Sequence, residues 1–138
     1  QSPAHECSTL SRKKPAFKGQ RPHAIITIAV FCCDTQEEAV LQQHAFDVNF
    51  FKFVTGQRGG AGLLTPEQAQ SFQSTPQFEA FVQQRSVHRA VGTASMVADK
   101  VLQTADLFAA DEVMVVSNMY DFDYRKRCFE LLIGAVSA

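Results

Sequence analysis

Tryptophan is absent from this 138-residue chain, tyrosine occurs only twice, and neither sign of charge dominates. With 13 Lys and Arg against 14 Asp and Glu, the formal net charge is −1. No basic field exists to hold a nucleic acid, and no acidic tail to imitate one. The longest apolar run, residues 24–33, falls well short of the roughly 20 residues that span a bilayer. No charged-then-apolar leader opens the chain. These absences point away from nucleic acid and membrane and toward a cytoplasmic protein. The first residue is Gln rather than Met, which reads as a processed or trimmed chain.

Paired metal-ligand motifs are missing too. Cys7, Cys32, Cys33 and Cys128 contain no Cys-x-x-Cys, and no closely spaced His pair accompanies them, so a structural zinc site is not expected. Adjacent Cys32 and Cys33 point to opposite sides of an extended segment and are poorly placed to pair. All four read as reduced thiols. There is no phosphate loop either: the stretch 56–62 is glycine-rich but lacks the Lys-Ser/Thr that would follow. It reads as a mobile loop and a candidate lid.

What the chain does have is apolar patterning in blocks. Residues 1–22 hold three of the five prolines and the cluster Arg12, Lys13, Lys14, Lys18 and Arg21, and they read as an arm or loop. Residues 23–33 (HAIITIAVFCC) are β-branched and apolar on both parities, which marks a strand covered on both faces. Asp34 followed three positions later by Glu37 reads as a capping box that opens a helix to about Thr55. Thr65-Pro66 and Thr75-Pro76 repeat the start signal for two short helices before Arg85. Gly92-Thr93 reads as the turn before a further helix with Val97, Val101 and Ala105 on one face. Residues 111–117 (DEVMVVS) form a second buried strand, and a last helix starts near Asp123.

A buried strand, a helical excursion and a second buried strand imply a parallel α/β crossover. The two strands should be adjacent and parallel. Two strands are too few for a self-sufficient parallel sheet, whose edges and faces would be left open. The pattern is that of a slice from a larger α/β object.

Three segments resemble luciferase-like (bacterial luciferase family) flavin-dependent monooxygenases. Arg21-Pro22-His23 with its strand and Asp34-Thr35-Gln36-Glu37-Glu38-Ala39 is similar to that family's seventh strand and the following helix start. Val91-Gly92-Thr93 is similar to its Val-Gly-Thr-Pro-Glu turn, with Ala94 and Ser95 replacing Pro-Glu. The segment 111–121 (DEVMVVSNMYD), with Arg125, Glu130, Leu131 and Leu132 beyond it, is similar to strand eight and helix eight.

The resemblance covers residues 21–134 and implies a partial (β/α)8 TIM barrel: its last two strand–helix units, with a helical excursion between them. Residues 23–138 would form this C-terminal segment behind the arm 1–22. The family uses reduced FMN and O2 to oxidise an aldehyde or another small organic substrate, and the protein positions both. A whole barrel needs about 250 residues, so this chain alone is expected to be inactive, and FMN may be held only together with an N-terminal portion. The rival expectation is a non-catalytic truncated α/β domain that acts through self-association or a partner chain.

Barrel sites form at the C-terminal ends of strands. That places Ser117 and Asn118 for a hydrogen bond to flavin or substrate, or else as turn residues bonding their own backbone. Cys33 and Tyr120 are placed to line the substrate pocket. Asp34 reads as a helix cap. His23 sits at the wrong strand end for chemistry, and His44 and His88 read as packed or surface histidines.

Overall fold

The computed structural model describes residues 22–57 and 62–137. Three strands form one parallel sheet: β1 (Ile25–Cys32), β2 (Arg89–Gly92) and β3 (Glu112–Val116). The helices are α1 (Gln36–Val54), α2 (Pro66–Ala69), α3 (Pro76–Arg85), α4 (Ala94–Leu107) and α5 (Phe122–Val136). The arm 1–21, Cys7 and the centre of the glycine-rich loop lie outside the described residues.

The two strands expected from patterning are adjacent and parallel, with Ile25 opposite Glu112 and Ala29 opposite Val116. Two expectations need correction. Val91-Gly92 is not a turn but the end of a short strand, β2, which pairs with the C-terminal half of β1, Cys32 opposite Gly92. Only four residues long and bounded by polar positions, it carries too little periodicity to be read as a strand. The helix after β1 is capped by Thr35, whose side chain accepts from the Glu38 amide at 3.2 Å, and not by Asp34. Asp34 is drawn off by Arg127, 2.9 Å away.

The strand order is β2-β1-β3. The chain therefore leaves β1 toward one edge and returns to the other, instead of winding one way. With right-handed crossovers, that reversal sends the helices to opposite faces. The contacts agree. Phe31 and Arg89 share one face and meet Phe46 and Asp47 of α1. Ile28, Val30 and Cys32 share the other face and pack with Val97 and Val101 of α4 and Cys128 and Leu132 of α5.

α1 also has a second side. Ala45, Val48 and Phe51 join Ala69 and Phe78 in a smaller core under the excursion, where Phe51, Phe72 and Phe78 meet edge-on. Asn49 fastens the excursion by donating to the Leu64 carbonyl and accepting from the Leu64 amide. Gly92 ends β2 at φ 142°, where a Cβ would press within 3.0 Å of the Met96 side chain.

The sheet is not fully covered. α1 shields only the C-terminal half of its face. Toward the other end, Ile25, Met114 and Val116 are 54 %, 58 % and 38 % exposed on that face, beside Thr27. The outer edges of β2 and β3 have no strand neighbour among the described residues. An apolar face with open parallel edges favours association. Light scattering across a dilution series should show mass falling with concentration; a constant monomer mass would show that the face is covered within the chain.

One contact ties the layers together. Arg89 donates to both carboxylate oxygens of Asp47 at 2.7 and 2.8 Å, with side chains 5 % and 1 % exposed. Gln43 donates to the same carboxylate at 2.8 Å. Removing one member strands a buried charge, which typically costs about 3–5 kcal/mol. Asp47→Ala should lower unfolding stability by that amount in a urea titration. A loss below about 1 kcal/mol would contradict the role given to the pair.

Candidate functional site

In open α/β sheets, ligands bind beyond the carboxyl ends of the strands, where the winding reverses. Here that point lies between β1 and β3. A cleft of about 540 Å3 opens there, lined on one side by Phe46, Asn49, Phe50 and Phe53 of α1 and on the other by the β3–α5 connection. Ser117, Asn118, Met119 and Tyr120 form that second wall, with Leu63 and Arg125 completing the lining.

The α1 wall is an aromatic ladder. Phe46 and Phe50 stack with centroids 5.8 Å apart and planes 9° from parallel, and Phe50 and Phe53 continue at 6.2 Å and 13°. Spacing of four and three residues places all three on one helix face. The Arg85 guanidinium sits 4.4 Å above Phe50 and also covers Phe46 and Phe81. This cation–π contact stiffens the wall from behind. Nothing about α1 alone announces the ladder, because its phenylalanines also read as ordinary core.

The opposite wall supplies polar groups. Ser117 Oγ is buried without an oxygen or nitrogen partner, its neighbour being the Cys128 sulfur. Asn118 and Tyr120 are exposed. Of the residues expected from sequence, Ser117, Asn118 and Tyr120 are thus brought together. Cys33 is not among them. Its Sγ faces Met119 Sδ at 3.9 Å, and it borders a separate depression of about 240 Å3 with Asp34, Glu38, Asp123, Tyr124 and Arg127.

The histidines stand apart from the cleft. His23 meets Glu112 at 3.1 Å at the far strand end, His44 bonds the Ala69 carbonyl at 3.1 Å, and His88 packs on Phe108. A hollow of about 550 Å3 on the outer side of α1 includes His44 and is as large as the cleft. It lies away from the strand ends. Among the described residues, no group of three or more His, Cys, Asp or Glu is placed to hold a metal ion. No helix there is long and apolar enough to cross a membrane.

The thiols have distinct surroundings. Cys32 donates a hydrogen bond to the Cys128 sulfur, which holds the Cys32 proton and, with burial, raises its pKa. The same bond lowers that of Cys128 against the opposing effect of burial, helped by Ser117. Both sulfurs are fully buried. Asp34 lies below the usual carboxylate range because Arg127 donates to it.

Similarity to known proteins runs through this whole region. No known family profile matches the chain. It is 29 % identical over 130 residues to the luciferase-like monooxygenase of Escherichia coli (strain K12), covering 88 % of this chain and 36 % of that protein. It is 26 % identical over 123 residues to the uncharacterized protein YwcH of Bacillus subtilis, and 24 % identical over 119 residues to YceB of the same organism. The chain thus spans about a third of the length of these curated relatives. The crystal structure of apo-MsnO8 superposes on 97 % of this chain and 41 % of its own, with TM-score 0.75 and 22 % identity. That likeness establishes that the α/β arrangement occurs within a longer chain.

Ionisation at the strand ends has a measurable consequence. Burial pushes the Cys33 thiol from 9.0 to about 12. Its folded pKa exceeds its unfolded value, so its contribution is complete below pH 9 and fades as pH rises to about 12. The melting temperature should fall across that window, and less steeply for Cys33→Ala. Equal slopes for the two proteins would contradict this environment for Cys33.

Proposed function

We propose that this chain is the C-terminal part of a luciferase-like, FMN-dependent monooxygenase and forms one wall of its active site. The observation that carries the reading is the cleft at the carboxyl ends of β1 and β3, where the aromatic ladder of α1 faces Ser117, Asn118 and Tyr120. Sequence similarity to a luciferase-like monooxygenase spans 88 % of the chain. In this reading the sheet is a segment of a (β/α)8 barrel, with β1 and β3 as its last two barrel strands and β2 as an addition from the excursion. The exposed face bearing Ile25, Met114 and Val116 then looks inward, toward the portion that completes the barrel.

The residues present fit a flavin site in part. The exposed Asn118 amide is free to bond the polar edge of a flavin or the oxygen of a substrate, and the buried Ser117 hydroxyl, which meets the Cys128 sulfur, backs that wall. The phenyl ladder suits the apolar body of the substrate and keeps water from it. Met119, buried at its back, sets the position of the connection that carries these groups. Reduced FMN and O2, when bound, supply the oxidising chemistry; the protein contributes placement and exclusion of water. Small-ligand sites bury most of their ligand, and one wall cannot do so.

A second reading has its own observation. The open strand edges and the exposed sheet face suit a non-catalytic domain that associates with itself or with a partner chain. The two readings separate in a chimera in which residues 22–137 replace the matched third of the Escherichia coli relative. A folded chimera should oxidise a long-chain aldehyde with reduced FMN and O2. Ser117→Ala combined with Asn118→Ala should then lower kcat/KM about tenfold or more, about 1.4 kcal/mol. A folded chimera without activity, or a double variant without effect, would favour the second reading.

A further inference from the structure

Four sulfurs meet where the end of β1 packs on α5. Cys32, Cys33, Met119 and Cys128 belong to one core, each at most 3 % exposed. They divide into two pairs. Cys33 faces the Met119 thioether, which cannot form a disulfide. Cys32 instead donates to the Cys128 sulfur, thiol to thiol, and Cys128 also accepts from the Cys32 amide and the Ser117 hydroxyl. Three donors around one sulfur favour its thiolate, while Cys32 keeps its proton. One thiol of the pair is thus suited to attack and the other to resolve.

We infer that Cys32 and Cys128 form a reversible disulfide under hydrogen peroxide, a redox-sensitive link between β1 and α5 directly behind the cleft wall that Ser117 begins. The Cys128 thiolate attacks one peroxide oxygen and the O–O bond breaks. The departing hydroxide takes up the proton that Cys128 released and leaves as water. The Cys32 sulfur then displaces hydroxide from the Cys128 sulfenic acid: the S–S bond forms, the S–O bond breaks, and the Cys32 proton completes a second water. The two thiols lose two electrons and the peroxide gains them. The sulfurs need only close from hydrogen-bond contact to about 2.05 Å. Burial makes size the filter, because a small peroxide reaches a buried sulfur far more readily than a bulky disulfide does.

Tryptic mapping of the prereduced 138-residue chain after hydrogen peroxide tests this. It should show one link within the chain, from the peptide that holds Cys32 and Cys33 to the peptide that starts at Cys128, with two of the four thiols consumed. Cys33→Ser should keep the link, Cys32→Ser should lose it, and dithiothreitol should restore both thiols. The bond closes a loop of roughly 100 residues, so the melting temperature should rise by about 5 °C or more. Oxidised glutathione should form the link more slowly than peroxide does. Selective linkage in the unaltered chain, lost in concentrated urea and kept in Cys33→Ser, supports the inference even where Cys32→Ser fails to fold. Four thiols surviving peroxide, a link through Cys7 or Cys33, or Cys128 carried to sulfinic acid without a link would overturn it.

Discussion

The buried pair between Arg89 and Asp47 is the constraint on which the rest of the structure depends. β2 is only four residues long, too short to hold its place by ladder hydrogen bonds alone. A bidentate contact to α1, with Gln43 sharing the carboxylate, fixes both the strand and the helix above it. Two charges removed from water repay their desolvation only when geometry and extra hydrogen bonds are good, and here most of those conditions are met. Arg89 Nε, buried and without a partner, is the residual cost. Because Arg89 also lies 5.8 Å from the Phe31 ring, the pair sets how α1 crosses the sheet. The direction of the phenyl ladder, and so one wall of the cleft, follows from it.

Much of this was legible in the sequence. Residues 23–33 and 111–117 are rich in β-branched and apolar residues, which marks both as strands, but burial on both faces holds only toward the C-terminal end of the first, and the second leaves Met114 and Val116 exposed. Thr65-Pro66 and Thr75-Pro76 open their helices as their chemistry dictates, the first with a complete capping box. Ser117, Asn118 and Tyr120 line the cleft because they follow the carboxyl end of β3.

Other features depend on partners far apart in the chain. Asp47 and Arg89 are 42 residues apart, and each alone reads as a solvated charge. β2 becomes a strand through its neighbour β1, not through its own pattern. Asp34 carries a strong capping residue type, yet a side chain 93 positions away takes it, leaving the cap to Thr35. Cys33 sits one residue beyond the strand, where its sulfur meets that of Met119 and borders a depression separate from the cleft. The ladder Phe46-Phe50-Phe53 has core composition, and only the open space beside it reveals another use.

The central claim is that this chain supplies one wall of a flavin site and needs further polypeptide to close it. Titrating FMN with the purified chain while following flavin fluorescence addresses it most directly. The account predicts a colourless protein and weak, non-saturating quenching, with saturable binding appearing only when residues 22–137 are joined to the N-terminal part of a luciferase-like relative. Tight, stoichiometric quenching by the 138-residue chain alone would contradict it.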